Sequence, residues 1–309
     1  ANNAVLYLFN EEEWVKAMLV ARQAGELRQA GGEGEEEEHF MDRAFRNEMA
    51  RLMQITRANY SKMLWRDGLH SGWFEFQIIR DAWRDWCKQS SIPMREDLVF
   101  EYIETQTLMI APICPHYAEN IWQILGKGER MAVGGRWPEP KAEVDKILAR
   151  AYGFFKTTLK NFRNSKGKAK GKPTKAFVYV VDQYPEWKVA TLKFMQEVYE
   201  EVGGGEFAGV LMKRLKPFCT QNPDLKKMTK QVMQFAAWIR DEIKDRGQEA
   251  MDMSLPFNQT EVLQSNLDYL KKSICLEDVA VYNLSDPGVP GPDNKKALAG
   301  PGQPYLYCH

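Results

Sequence analysis

Seven positively charged residues lie between positions 160 and 175 with no acidic residue among them: Lys160, Arg163, Lys166, Lys168, Lys170, Lys172 and Lys175. Glycine, serine, asparagine and proline are common between these charges, which predicts a flexible segment. Positive side chains on such a segment can contact phosphate groups and release counterions from a nucleic acid. A solvated linker between domains has the same composition, so the sequence alone leaves both interpretations open.

A second group of basic residues further along the chain could extend a phosphate-binding surface. It comprises Lys226, Lys227 and Lys230, with Lys213, Arg214 and Lys216 before it. Surface helices also carry lysine for solubility, and the pattern does not choose between the two roles. The candidate nucleic-acid-binding residues are therefore the seven named above together with Lys226, Lys227 and Lys230.

No catalytic residue and no metal ligand is predicted. The cysteines and histidines are scattered and form no Cys-x-x-Cys pair. Cys114 and His116 could belong to a metal site, but no further ligand pair is visible. We prefer a turn that begins a helix, with the imidazole hydrogen-bonded inside a helical bundle. The glycines at 203–205 lack the lysine and serine of a phosphate-binding loop and are predicted to form a turn that ends a helix.

Composition limits the class of protein. The chain has 309 residues, a formal net charge of zero and 44% hydrophobic residues, which is typical of a globular protein with two domains. Because the net charge is zero, any case for nucleic-acid binding depends on local charge. No apolar stretch is long enough to cross a membrane. Residues 1–10 show no secretory signal and the cysteines suggest a reducing compartment, so we expect a cytoplasmic location.

The first part of the chain is predicted to form an antiparallel helical bundle over residues 1–160. Hydrophobic periodicity predicts helices over 5–24, 40–64, 71–88, 93–111, 115–125 and 141–162. An acidic, glycine-rich segment over 25–38 is expected to be a solvated loop. The aromatic residues that follow Asp67 are expected to lie in the core, and so is Trp122.

A basic linker over 161–175 is predicted to lead into a small α+β domain over 176–284. Strand patterns occur at 176–181, 251–257 and 276–284, and helical patterns at 186–201, 224–245 and 260–273. The tail, 285–309, is rich in proline and glycine and is expected to be mobile, with 305–307 as a candidate edge strand. The predicted fold class is mainly α: an N-terminal antiparallel helical bundle followed by a small α+β domain.

Several segments resemble class Ia aminoacyl-tRNA synthetases. Residues 108–116, Leu-Met-Ile-Ala-Pro-Ile-Cys-Pro-His, resemble the proline–histidine turn in the anticodon-binding bundle of that class. More specifically, Asn-Glu-Met at 47–49 and Gly-Trp-Phe-Glu-Phe-Gln at 72–77 resemble archaeal and eukaryotic-type cytosolic leucyl-tRNA synthetases. Tyr184, Pro185 and Trp187 after a predicted strand agree with that family. The resemblance extends over nearly the whole chain.

One further segment resembles the catalytic Lys-Met-Ser-Lys-Ser loop of class I synthetases. It is Lys-Met-Thr-Lys at 227–230. The catalytic loop must be exposed and mobile at the edge of an ATP-binding sheet, whereas this segment is predicted to lie inside an amphipathic helix. We therefore interpret it as a surface helix segment without a catalytic role.

The resemblance implies a function for a longer enzyme. Leucyl-tRNA synthetases attach leucine to its tRNA with ATP and magnesium, and their catalytic and editing domains lie upstream of the region matched here. This chain is expected to lack both sites, to need no cofactor of its own and to position leucine tRNA by its shape. Other expected partners are the upstream domains and a multi-synthetase assembly. The alternatives are a protein-interaction scaffold and the equivalent part of another class Ia synthetase.

Overall fold

A computed structural model describes residues 2–31, 38–128, 134–168, 171 and 173–309. Their contacts divide the chain into two units. The first, here called the bundle unit, comprises Ala1–Leu159 and Ser265–Cys275. The second, the sheet unit, comprises Lys160–Gln264 and Leu276–His309. The sequence pattern does not reveal that 265–275 pack with the first unit, because the contacts that hold them there are distant in sequence.

The bundle unit is built from helices. Its elements are α1 (Asn2–Gln23), α2 (Phe40–Ser61), α3 (Trp65–Leu69), a π-helical turn (His70–Glu75), α4 (Phe76–Ser90), α5 (Glu96–Ile110), α6 (Pro115–Ile124), the first part of α7 (Lys146–Lys168) and α12 (Leu267–Ser273). The predicted bundle is confirmed. Tyr269 of α12 donates a hydrogen bond to Asp85 of α4 at 3.0 Å, and its ring lies beside Phe155 of α7.

Aromatic side chains fill the bundle core, as predicted. Trp83 stacks on Phe45 with ring centroids 4.6 Å apart, and Phe76 stacks on Tyr102 at 4.9 Å. All four rings are buried because the helical spacing of these residues turns them to one interior. The prediction for Trp122 was wrong, since it is only half-buried. It packs at the margin of a small cluster around Trp73 on the short helix α6.

Buried charges in the bundle unit have partners. Arg28 Nη2 lies 2.6 Å from the buried Asp42 carboxylate, which also accepts a hydrogen bond from Trp83 Nε1 at 2.8 Å. Glu11 on α1 pairs with Arg80 on α4. Burial raises the pKa of Glu11, and the Arg80 guanidinium opposes that rise. A buried charge is tolerated only when it is paired in this way, so these contacts fix how the helices pack.

The sheet unit contains a three-stranded sheet with the order β2-β1-β3. The strands are β1 (Lys175–Val180), β2 (Asp278–Asn283) and β3 (Tyr305–Cys308). β1 is central because β2 pairs with it in parallel and β3 pairs with it antiparallel. The two strands predicted at 176–181 and 276–284 are confirmed, and so is the candidate edge strand in the tail. Residues 173–309 are described, and the tail returns to the sheet.

The strand predicted at 251–257 was wrong. A 3₁₀ turn, Gly247–Met251, and a series of bends occupy this stretch. Its alternating apolar residues pack against helices instead. Met251 is buried in the helical core of the sheet unit, and Met253 packs against the same core. An alternating apolar pattern indicates which side chains are buried. A β-strand also needs a neighbouring strand to pair with, and the pattern does not show whether there is one.

Helices make up the rest of the sheet unit: α8 (Glu186–Gln221), α9 (Pro223–Lys226), α10 (Thr229–Arg246), α11 (Gln259–Gln264) and α13 (Asp293–Lys296). Helix α8 bends at Gly203 (φ 70°, ψ 164°) and continues, so the predicted end at 203–205 is a kink instead. Leu211 and Leu215 beyond the kink are buried against α10, which explains why the helix resumes. No helix within the described ranges is long and apolar enough to span a membrane.

Candidate nucleic-acid interface

The basic segment is partly helical. Helix α7 continues to Lys168, so the linker predicted at 161–175 was wrong over its first half. Phe155, Leu159 and Phe162 are buried on one face of this helix, and their packing carries the helix onward. Lys160 and Arg163, three residues apart, are exposed on another face. Both cations are therefore held on a regular helix.

Two further cations of the segment lie near one end of the sheet. Lys166 is half-buried, and its charge acts on Cys308 of β3: burial raises the pKa of this thiol and Lys166 opposes the rise. Lys175 is exposed at the start of β1, where its carbonyl oxygen accepts a hydrogen bond from His309 N–H at 3.0 Å. Cys308 pairs with Ala176, next to Lys175, so the fold brings Lys166 and Lys175 to the same end of the sheet.

The remaining members of the segment are Lys168, Lys170 and Lys172. Lys168 is the last residue of α7. Lys170 and Lys172 lie outside the described residues. The backbone positions of Lys160, Arg163, Lys166 and Lys175 thus carry the structural case for this part of the interface.

The second basic group lies at a helix junction. Lys226 ends α9, Lys227 follows it, and Lys230 is in the first turn of α10; all three are exposed. Residues 227–230 therefore do not lie inside one helix, and that prediction was wrong. Leu225 and Val232 are buried on either side and anchor the junction, and the Thr229 hydroxyl donates to the Lys226 carbonyl oxygen at 2.9 Å. These helices pack on α8, so this group belongs to the helical part of the sheet unit.

An exposed aromatic and basic corner was missed by the sequence analysis. Helix α2 ends at Ser61, and Met63, Leu64 and Trp65 remain exposed between Lys62 and Arg66. The helix predicted over 40–64 included most of this corner, so the end of α2 and the exposed residues after it were not recognised. The available signal was a run of apolar residues enclosed by two cations, which is unusual on a solvated helix face.

The metal alternative finds no support in the described part of the chain, where no group of three or more histidine, cysteine or acidic residues is placed to hold an ion. Cys114 caps α6 and His116 lies in its first turn, after Pro115, which confirms the turn that begins a helix. The imidazole is exposed, so its predicted burial in the bundle was wrong. Proline at the first helical position explains the start of α6 without any metal.

Comparisons with known proteins agree with this architecture. Residues 42–179 match the profile "Anticodon-binding domain of tRNA ligase", and residues 180–256 match "Leucine--tRNA ligase, RagD-binding domain". The chain is 31% identical over 308 residues to the cytoplasmic leucine–tRNA ligase of Pongo abelii, covering 93% of this chain and 24% of that protein.

Other relatives extend this similarity across distant organisms. The cytoplasmic leucine–tRNA ligase of Arabidopsis thaliana is 28% identical, covering 98% of this chain and 29% of the relative. The leucine–tRNA ligase of Methanocaldococcus jannaschii is 26% identical, covering 67% of this chain and 19% of the relative. The chain thus spans about a quarter of the length of the curated relatives it matches. It belongs to the leucine–tRNA ligase family of class I aminoacyl-tRNA synthetases and corresponds to a C-terminal portion of the eukaryotic-type cytosolic members.

Proposed function

We propose that this chain is the tRNA-binding and tRNA-positioning portion of a leucine–tRNA ligase. The observation that carries the proposal is the anticodon-binding profile over 42–179, which ends on the helix and strand that present the basic residues. The whole protein then attaches leucine to its tRNA with ATP and magnesium, and chemical groups for that step lie in regions beyond this chain. The cytoplasmic relatives support a cytoplasmic location.

Positioning is the contribution that these residues can make. Lys160 and Arg163 sit on a continuous helix, so contacts from them to phosphates hold the RNA in a defined register. Lys175 and the group at 226–230 add positive charge on other elements of the same unit. Phosphate contacts of this kind recognise the shape of a folded RNA, and correct orientation of a substrate lowers the barrier of a distant reaction.

The test compares two double variants that remove the same charge. Lys160→Ala with Arg163→Ala is expected to weaken leucine tRNA binding and to reduce the slope of log affinity against log salt by about 2, because each phosphate contact contributes roughly 0.9. The control is Lys16→Ala with Lys244→Ala, which removes two exposed lysines that lie outside both basic groups. Equal salt slopes for the two double variants would contradict this assignment of the interface.

A second candidate function has its own observation. Residues 180–256 match a profile named for RagD binding, and they form most of the α8–α10 layer. We propose that this layer binds a protein partner, with RagD as the first protein to test and a synthetase assembly as the alternative. Both functions can coexist. Purified RagD should bind the Lys160→Ala, Arg163→Ala variant as well as it binds the parent chain, because neither residue belongs to 180–256. Loss of RagD binding in that variant would contradict this assignment.

A further inference from the structure

The corner between α2 and α3 leaves large apolar side chains in solvent. Met63 is 70% exposed, Leu64 45% and Trp65 48%. Met63 also adopts a left-handed conformation (φ 59°), which a residue with a side chain rarely adopts. This conformation ends α2, where Met63 N–H donates to the Tyr60 carbonyl oxygen at 3.0 Å and Leu64 N–H donates to the Asn59 carbonyl oxygen at 2.9 Å. The exposure of three apolar side chains at one place points to a binding role, because folding alone gains nothing from it.

Other aromatic side chains support Trp65. Its ring lies 5.4 Å from that of Tyr60, and the Tyr60 ring meets Trp137 edge-to-face at 5.8 Å. The Tyr60 hydroxyl donates a hydrogen bond to the Met109 carbonyl oxygen at 3.2 Å. Gly68 makes room for Tyr60, since a Cβ there would lie 2.1 Å from Tyr60 Cε1. The indole is therefore supported on a fixed aromatic base while about half of its surface stays open.

Exposed cations lie close to the residues of this corner in the chain. Lys62 and Arg66 are exposed on either side of the apolar run. Arg57 lies in the last turn but one of α2, and Arg136 is exposed next to Trp137. Asp67 and Glu139 only partly offset these cations; the Arg57–Glu139 pair is 3.9 Å apart with both side chains mostly exposed. An aromatic face among cations complements the π-face of a nucleobase and its flanking phosphates.

We propose that Trp65 stacks on an unpaired nucleobase of the bound tRNA while Lys62 and Arg66 contact its phosphates. This proposal rests on the tRNA-binding function above, but it assigns a contact to the bundle unit, whereas the basic residues named there belong to the sheet unit. An aromatic ring stacks on any base, so the site selects an unstacked nucleotide by its position in the folded RNA and is tolerant of its sequence.

The test measures binding of leucine tRNA to the whole chain by fluorescence anisotropy. Trp65→Ala is expected to weaken binding roughly 5- to 150-fold, the range found when a stacking aromatic is removed. Trp65→Phe should retain most of the affinity, because a phenyl ring still stacks. Ile78→Ala is the matched control, since it removes another large apolar side chain that is 65% exposed, here on α4. Lys62→Ala and Arg66→Ala should each lower the salt slope by about 1, and Trp65→Ala should leave it unchanged.

A spectroscopic readout separates stacking from a structural role. Binding of tRNA should quench part of the tryptophan fluorescence of the parent chain, and Trp65→Phe should lose that part while still binding. A thermal melt checks that each variant is folded. If the parent chain binds tRNA and Trp65→Ala binds equally well, this inference fails and the corner is a protein contact. If the parent chain binds no tRNA at all, the proposed function itself fails.

Discussion

The two units use charge in different ways. Among the described residues, the buried charged side chains, Glu11, Asp42, Glu48, Arg80 and Arg95, all belong to the bundle unit and have partners there. In the sheet unit the buried polar side chains are the neutral Thr191 and Gln259. Charge thus organises the interior of the bundle, whereas no charged side chain is fully buried in the described part of the sheet unit.

The largest expected effect tests this difference with two aspartates. Asp42→Ala should lower the free energy of unfolding by about 3–5 kcal/mol, because it removes the buried carboxylate that pairs with Arg28 and that accepts the hydrogen bond from Trp83 Nε1. Asp241→Ala in the sheet unit should change stability little, since its pair with Arg240 is exposed. Denaturant unfolding followed by circular dichroism measures both. Equal losses in the two variants would show that burial does not distinguish these ion pairs.

A second prediction concerns the kink in the sheet unit. Gly203→Ala should destabilise the chain by about 1–3 kcal/mol, because φ 70° with ψ 164° is a conformation that essentially only glycine adopts. Gly153→Ala, inside α7, is the control: no atom lies near its added methyl group and its backbone is helical, so it should not destabilise. Thermal melts compare the two. Equal or higher stability of Gly203→Ala would mean that α8 does not bend there in solution.

The smallest expected effect concerns the margin of the bundle. Trp122→Ala should cost about 1–2 kcal/mol, less than a fully buried tryptophan, because its ring is half-buried beside Trp73 and Ala118. Trp83→Ala, in the centre of the core, should cost about 3–5 kcal/mol. Chemical denaturation of both variants gives the comparison. If Trp122→Ala lowered the free energy of unfolding as much as Trp83→Ala, Trp122 would have to lie in the core.

The same two units show what sequence can predict. In the bundle, each helix has its own signal: apolar periodicity over 40–61, acidic residues at the start of α5, and Pro115 at the start of α6. These signals are local, so the helices could be predicted one at a time. The strands at 175–180 and 278–283 were also predicted, because β-branched and aromatic residues mark them.

The errors arose where distant contacts decide the structure. Residues 160–168 have the composition of a linker, yet Phe162 is buried and extends α7 through them. Residues 251–257 alternate like a strand but find a helical core and no pairing partner. Sequence reasoning identified the candidate cations by type, whereas their placement on a helix, a strand end or a helix junction depends on tertiary packing. The Trp65 corner was missed for the same reason, since the periodic pattern does not show where α2 ends.

The most direct test of the account is the binding of leucine tRNA to this chain, measured by fluorescence anisotropy against serine and methionine tRNAs at low and near-physiological salt. We expect binding to leucine tRNA that weakens steeply as salt rises, since surface cations in the sheet unit supply much of the affinity. We also expect a preference for leucine tRNA, because phosphate contacts from fixed positions on a helix recognise the shape of the RNA. Affinity unchanged across the salt series, or no binding at any salt concentration, would contradict the central claim.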